Sequence, residues 1–85
     1  MRVLVPSPLV SYTGRKETSA CGGTLAEVLR DLDRQYPGIR FRIIDEQDRI
    51  RPHIRIFVNG EETFALDRGL DDRDVVQVIQ ALSGG

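Results

Sequence analysis

The fold is decided by residues 24–36, whose sequence is TLAEVLRDLDRQY. Thr24 followed by Glu27 fits the capping box, in which the two residues satisfy free backbone N–H groups at a helix start. Pro37-Gly38 ends the helical pattern. Apolar residues spaced by three and four form a single stripe: Leu25, Val28, Leu29, Leu32 and Tyr36. The pattern predicts one principal helix, from about Thr24 to Gln35, with one face buried.

The segment before this helix predicts a hairpin with a long loop. Residues 1–5 are rich in β-branched and apolar side chains, and residues 16–20 are polar and extended. Thr13-Gly14 indicates a turn between them. Gly22-Gly23 breaks the second strand and leads into the helix. An alternative for this diglycine is an anion site at the helix start, but it lacks the lysine and spacing of a phosphate-binding loop.

The segment after the helix predicts three more strands. Residues 53–59 alternate, so that Ile54, Ile56 and Val58 share one face. Asn59-Gly60 is typical of a hairpin turn, and residues 61–64 return as a short strand. A polar loop at 67–74 precedes a last strand at 75–82, where Val76 and Val78 point inward. Residues 39–51 show no period that decides between a strand and a helical turn.

This order of elements favours an α+β architecture of the β-grasp, or ubiquitin-like, type. We expect a mixed sheet of four to five strands packed on one main helix. The last strand leads directly into the C-terminal residues Ser83-Gly84-Gly85. The sequence therefore predicts a β-grasp domain at residues 1–82 and a flexible diglycine tail at residues 83–85.

The composition excludes several classes of protein. A chain of 85 residues has room for one domain. Its 12 basic and 13 acidic residues give a net charge of −1, unlike the basic surface of a nucleic-acid binder. No apolar run is long enough to cross a membrane. A single cysteine and no export signal indicate a reducing cytoplasm.

Few other side chains suggest chemistry of their own. Cys21 is interpreted as an inert, small apolar residue rather than a sulfur-relay thiol. His53 is the only histidine and has no second ligand at metal spacing. The acidic residues at 67–74 form either a solvated loop, the favoured interpretation, or a surface that steers partners. We expect no catalytic residues, no metal and no bound cofactor, and hence no enzyme.

The sequence resembles the ThiS/MoaD family of ubiquitin-like sulfur carriers. The resemblance rests on ordered pieces across the chain: Thr24-Leu25 with the helix, Tyr36-Pro37-Gly38-Ile39, residues 54–62, Asp74-Val75-Val76 and Gly84-Gly85. Tyr12-Thr13-Gly14 and the long segment 39–52 are most similar to the branch that serves cysteine or siderophore biosynthesis. Two departures are Arg73, where the family usually has glycine, and Gln80-Ala81-Leu82-Ser83 before the diglycine.

The resemblance implies a reaction at Gly85. A ubiquitin-activating-type enzyme would use Mg-ATP to convert its carboxylate into an acyl-adenylate. A sulfur donor would then replace the adenylate to give a thiocarboxylate, which an acceptor enzyme consumes in a cysteine, siderophore, molybdopterin or thiamin type pathway. Gly84 lacks a side chain and can thread a narrow channel. The alternative is that Ser83-Gly84-Gly85 is an inert terminus.

Docking of these partners is predicted at Phe57, Ile79 and Leu82. Phe57 and Ile79 alternate with the inward-facing residues and therefore point away from the helix. One interpretation is an exposed apolar patch for partner enzymes. The other is that residues 39–52 cover these side chains as a second core.

Two other functions remain open from the sequence. An activated Gly85 could form isopeptide bonds with lysines, which would make the chain a covalent modifier. An inert C-terminus would leave a non-covalent ubiquitin-like interaction module.

Overall fold

The computed structural model describes residues 1–81. Five strands and three helices follow in the order β1 (Arg2–Leu4), α1 (Val10–Thr13), β2 (Glu17–Ser19), α2 (Leu25–Gln35), α3 (Ile39–Ile43), β3 (Ile54–Val58), β4 (Glu61–Thr63) and β5 (Val75–Gln80). The strands form one mixed sheet in the order β2-β1-β5-β3-β4. β1 and β5 are parallel, and the other neighbours are antiparallel. The α+β, β-grasp prediction is confirmed.

The principal helix starts as the capping-box pattern predicts. The Thr24 side chain accepts a hydrogen bond from the Glu27 backbone N–H at 3.2 Å. The Glu27 carboxylate in turn accepts one from the Gly23 N–H at 2.7 Å, one residue before the N-cap. The Gly23 amide thus binds the protein's own carboxylate, which supports the turn interpretation of Gly22-Gly23 over an anion site.

The core lies between α2 and one face of the sheet, here called the inner face. Leu25, Val28, Leu29 and Leu32 of α2 are fully buried. The inner face contributes alternate residues of the strands and is equally closed: Val3, Val5, Ile54, Ile56, Val58, Val76 and Val78. Alternation with a period of two therefore predicted correctly which side chains face the helix.

The connection between β1 and β2 is more ordered than a plain hairpin loop. After Pro6 the chain makes a 3-10 turn at Ser7–Leu9 and then the single helical turn of α1. Gly14 ends α1 with φ +78°, a left-handed conformation that favours glycine. Leu9 is buried, so this connection adds to the core.

The segment at 39–51 is helical at its start and then forms a tight turn. α3 buries Ile39 and Ile43 and packs against α2. Phe41, on the other side of α3, is 55% exposed. A bridge between Ile44 and Ile50 closes the turn that follows. A five-residue helix is too short for the 3.6-residue period to repeat, which explains why the sequence left this segment undecided.

The β3–β4 hairpin turns at Asn59-Gly60, as predicted. Both residues have positive φ, +52° and +84°, as a two-residue hairpin turn of the favoured twist requires. The Asn59 side chain also accepts from the Val75 N–H and donates to the Asp74 carboxylate, each at 2.9 Å. The turn therefore fixes the start of β5.

None of the helices within residues 1–81 is long and apolar enough to cross a lipid bilayer.

Candidate functional site

The sheet face opposite α2, here called the outer face, carries a partly buried apolar patch. Phe57 on β3 and Ile79 on β5 alternate with buried residues and lie on this face. Phe57 is paired with Gln77, two residues before Ile79, so the two side chains are diagonal neighbours. Leu4 of β1 is paired with the same Gln77 from the other side. We call Leu4, Phe57 and Ile79 the outer patch.

Leu4 was not among the predicted docking residues. Its position between Val3 and Val5 could have identified it. The side chains of Val3 and Val5 share the inner face, so that of Leu4 points to the outer face.

Ion pairs flank the outer patch on both sides. Arg2 binds Glu17 at 2.9 Å, and Arg55 binds Glu62 at 3.1 Å. Both pairs join neighbouring strands across the outer face. An apolar centre with a charged, solvent-accessible rim is the usual anatomy of a protein interface.

A groove of about 500 Å³ adjoins the patch where β1 ends and β5 continues. It is lined by Leu4, Ile79 and Gln80 and by the stretch Pro6–Pro8. The Val5 N–H donates to the Lys16 carbonyl of the β2 side. The backbone N–H and C=O groups of even-numbered residues in β1 therefore point the other way, toward β5. In the parallel register Pro6 faces the Val78 carbonyl and has no N–H to donate. Pairing of β1 with β5 therefore stops here, and the last residues of β5 border an open groove.

The segment 39–52 packs on the helix side of the sheet. Its Ile39, Ile43 and Ile44 belong to the main core. Among the described residues, neither Phe57 nor Ile79 is buried in that core or packed against it. The second-core interpretation therefore receives no support, whereas docking at Phe57 and Ile79 stays a prediction.

Ala81, here called the root of the tail, follows the last residue of β5 and is bonded to the sheet. The Ala81 N–H donates to the His53 carbonyl at 2.7 Å, which extends the pairing of β5 with β3 by one step. The predicted residues Leu82, Ser83, Gly84 and Gly85 lie outside the described residues, as does the predicted boundary between 1–82 and 83–85. The root of the tail thus lies between the groove and His53.

The remaining candidates of the sequence have structural surroundings. Cys21 is a free, exposed cysteine, and its interpretation as an inert residue stays a prediction. Its backbone N–H donates to the Asp31 carboxylate, which holds the loop before α2. Within residues 1–81, no three side chains of the metal-binding types cluster, and His53 is exposed.

Two carboxylates with lowered pKa values, Asp31 and Asp74, bind backbone N–H groups of the loops before α2 and β5. Arg34, together with the Cys21 N–H, lowers the pKa of Asp31 below its usual range. The Asp71 N–H, together with the Asn59 amide, lowers the pKa of Asp74 in the acidic loop. A general acid at neutral pH needs a raised carboxyl pKa, which is the opposite shift.

Comparison with known proteins identifies the family. The family model of the ThiS family matches residues 3–85. The sulfur carrier protein CysO of Mycobacterium tuberculosis is 35% identical over 98% of this chain and 96% of its own length. Small archaeal modifier protein 3 of Haloferax volcanii is 37% identical over 73% of this chain and 70% of its own length.

Solved structures agree with this assignment. CysO in the BexX/CysO complex of Amycolatopsis orientalis superposes with a TM-score of 0.90 at 28% identity, over 99% of this chain and 98% of that one. The crystal structure of Mycobacterium tuberculosis CysO gives 0.89 at 32% identity, over 95% and 98% of the two chains. The chain therefore belongs to the ThiS family, in the wider ThiS/MoaD group of β-grasp proteins and near its CysO branch.

Proposed function

We propose that this chain is a sulfur carrier that works through its C-terminal glycine, Gly85, and does not itself catalyse a reaction. The observation that carries the proposal is the match to the ThiS family, which runs through residue 85 and so includes the diglycine. The similarity to the CysO carrier over 98% of the chain supports it. In the described residues, the partly exposed outer patch is where partner enzymes would dock.

The proposed chemistry has two steps. The Gly85 carboxylate attacks the α-phosphorus of Mg-ATP on a ubiquitin-activating-type enzyme, which gives a glycyl adenylate and releases pyrophosphate. A donor at the oxidation level of sulfide then displaces AMP, and Gly85 ends as a thiocarboxylate. Mg-ATP belongs to the activating enzyme, and this chain binds no cofactor of its own. The product delivers its sulfur to an acceptor enzyme of small-molecule biosynthesis in the cytoplasm.

The geometry at the end of β5 suits this role. Among the described residues, Ala81 is the last that bonds to the sheet, through the His53 carbonyl. The four residues beyond it reach about 13 Å when extended, at roughly 3.3 Å each. This reach would carry the carboxylate into an enclosed site while the domain stays outside. The outer patch and its groove lie beside this root and would dock the partner enzymes.

A second candidate function has its own support. The similarity to small archaeal modifier protein 3 covers 73% of this chain and favours a covalent modifier. Both functions begin with adenylation of Gly85. They differ in the nucleophile that follows, a sulfur donor in one case and a lysine amine in the other.

The first experiment tests the tail. We expect the chain without Gly85 to fold normally and to support no ATP–pyrophosphate exchange by its cognate activating enzyme. Deletion moves the carboxylate back by about 3.5 Å, beyond the tolerance of an active site. Gly84→Val should fail in the same assay because a branched side chain cannot thread a narrow channel. Normal exchange by the shortened chain would refute the proposal.

A second experiment separates carrier from modifier. Intact mass spectrometry of the protein from its native host should show a fraction in which sulfur replaces one oxygen. A modifier would instead appear as lysine-linked conjugates in cell extract. Conjugates without any trapped thiocarboxylate would favour the modifier and reject the carrier.

A further inference from the structure

Two arginines without a carboxylate partner among residues 1–81 lie beside the root of the tail. Phe41, Arg42, Arg51 and His53 line one concavity of about 170 Å³. A second concavity of about 210 Å³ shares Arg42 and His53 and extends to Gln80 at the end of β5. We call Phe41, Arg42, Arg51 and His53 the arginine cleft.

Internal contacts hold both guanidinium groups of the cleft in place. The Arg42 Nε donates to the Tyr12 hydroxyl at 2.9 Å. The Arg51 Nε donates to the Phe41 carbonyl at 2.7 Å, and the Arg51 guanidinium lies 4.6 Å from the centre of the Phe41 ring. A cation over an aromatic face is attracted to it. Each side chain is thus anchored through its Nε.

The terminal nitrogens of both arginines remain available. Within residues 1–81, neither Arg42 nor Arg51 forms a salt bridge, and their terminal nitrogens donate to no acceptor. Five other arginines do bind a carboxylate through a terminal nitrogen: Arg2, Arg34, Arg40, Arg55 and Arg68. Two anchored guanidinium forks without an anion are suited to bidentate binding of carboxylates.

The nearby acidic residues bind groups other than the terminal nitrogens of Arg42 and Arg51. The Asp45 carboxylate accepts from the Gln47 and Arg49 N–H groups within its own turn, and the charge of Arg51 is the last of the causes that lower the pKa of Asp45. Asp48 is bound to Arg40, on α3. Within residues 1–81, the terminal nitrogens of Arg42 and Arg51 therefore have no carboxylate partner, and they lie next to the exposed ring of Phe41.

We propose that the arginine cleft binds an acidic, carboxylate-bearing segment of the activating enzyme, which must accept the C-terminal tail. This inference rests on the proposed function. The cleft shares Gln80 and His53 with the root of the tail, so a partner bound there is next to the chain end that it must accept. The outer patch supplies apolar contact, and the cleft adds charge complementarity, which fixes orientation and speeds association.

A protein segment fits the cleft better than a nucleic acid does. Nucleic-acid binding relies on many phosphate contacts over an extended basic surface. Here the basic area is two arginines wide, and Asp45, Glu46 and Asp48 follow α3 directly. These carboxylates would repel a continuous phosphate backbone, whereas a short acidic peptide can reach the two forks and avoid them.

The main test measures binding of the full chain to its cognate activating enzyme. Combined Arg42→Glu and Arg51→Glu substitutions should raise Kd by about tenfold or more and reduce its salt dependence. Combined Arg30→Glu and Arg73→Glu substitutions are the matched control, because both are exposed arginines outside the cleft and the change in charge is the same. They should leave Kd within about twofold. Equal effects of both charge reversals would overturn the inference.

A milder variant distinguishes a loss of binding from a loss of the folded structure. Arg42→Gln with Arg51→Gln removes both charges but keeps side-chain N–H donors for the Tyr12 hydroxyl and the Phe41 carbonyl. We expect a smaller loss of affinity in the same direction, with an unchanged amide spectrum. An unchanged Kd in this folded variant would overturn the inference.

A direct probe identifies the kind of ligand. Titration of the isotopically labelled full chain with a short polyglutamate peptide should shift the amide resonances of α3 and residues 49–53. A polylysine peptide of equal length should shift none of them. The inference is wrong if a single-stranded oligonucleotide produces these shifts and polyglutamate does not.

The failure of this inference can be told apart from failure of the proposed function. Loss of adenylation on deletion of Gly85, together with full binding by the charge-reversed variant, would reject only the arginine cleft. Normal adenylation after deletion of Gly85 would reject the proposed function itself.

Discussion

The two faces of the sheet are built from the same strands but differ in what covers them. On the inner face, Ile54, Ile56 and Val58 are at most 4% exposed beneath α2. On the outer face, Phe57 lies between Ile56 and Val58 and stays partly exposed, with no element of residues 1–81 packed over it as core. In β3 the even positions thus belong to the core, and the odd positions place Arg55 and Phe57 on the outer face.

The outer face is also unlike an ordinary solvated face. A sheet with one face in water usually alternates apolar and polar residues cleanly. Here Leu4, Phe57 and Ile79 occupy outward positions and ion pairs stand at the margins. These outward apolar side chains are the reason that docking of a partner is predicted on this face.

The largest expected effect on the free energy of unfolding is in the core between α2 and the inner face. Leu29 is fully buried between α2 and the sheet. Leu29→Ala should lower the free energy of unfolding by roughly 2–5 kcal/mol through lost transfer energy and a cavity. Urea denaturation followed by circular dichroism measures this change. A loss below about 1 kcal/mol would show that the helix side does not carry the stability.

A smaller effect is expected where α2 meets the loop before it. A Cβ on Gly22, where φ is +156°, would lie 2.7 Å from the Val28 nitrogen and 2.8 Å from the Glu27 Cβ. Because backbone cannot easily move there, Gly22→Ala should cost about 1–3 kcal/mol. Gly23→Ala is the control, since its Cβ would meet only the Glu27 carboxylate at 3.4 Å. Similar melting temperatures for the two variants would contradict this account.

Much of the inner face could be predicted from sequence because its signals are local. The Thr24 cap, the apolar stripe of α2 and the Asn59-Gly60 turn each follow from short-range chemistry. Alternation in β3 and β5 then identifies the inward residues. The ends of elements shift by a residue or two, as at Leu25 and Gln80, because terminal residues lack regular partners.

The outer face and the arginine cleft needed the structure. Leu4 joins Phe57 and Ile79 only because β1 and β5 are neighbours, although they are distant in sequence. Arg42 contacts Tyr12 across 30 positions of the chain, a contact that no local pattern encodes. Within α3, Ile39 and Ile43 are the buried residues and are one helical turn apart, so the five positions contain no repeat that could establish a period.

A pH titration compares a buried carboxylate with an exposed one. Asp31, a residue of α2, is 9% exposed, and Arg34 and the Cys21 N–H lower its pKa. Glu17 lies on the outer face at 51% exposure, where the hydrogen bond from Arg2 lowers its pKa. A pKa lowered by folding stabilises the protein above the unfolded value, about 4, and this stability is lost as the pH falls through the folded value.

We therefore expect the melting temperature to fall as the pH is lowered from about 5 to 2. Asp31→Asn should flatten this dependence, because the asparagine cannot gain a proton. Glu17→Gln should change it little, since water and salt screen an exposed ion pair. Circular dichroism at each pH measures the effect, and a steeper change for Glu17→Gln would reverse the assignment.

The smallest effect on stability is expected at Phe57, and there it accompanies a large effect on binding. Phe57 lies on the outer face between ion pairs, so an arginine can reach water without disturbing the inner face. Phe57→Arg should change the free energy of unfolding by no more than about 0.5–1 kcal/mol. It should nevertheless weaken binding of the activating enzyme by tenfold or more, because aromatic anchors contribute about 2 kcal/mol at interface centres.

The control is Phe64→Arg, at a phenylalanine that is 77% exposed and outside the outer patch. It adds the same charge and should leave binding unchanged. Calorimetric titration distinguishes the two variants, and the defect of Phe57→Arg should shrink at high enzyme concentration because the tail is intact. If Phe57→Arg unfolds the domain, the outer face belongs to the core after all; if both variants bind normally, the apolar residues there serve no docking.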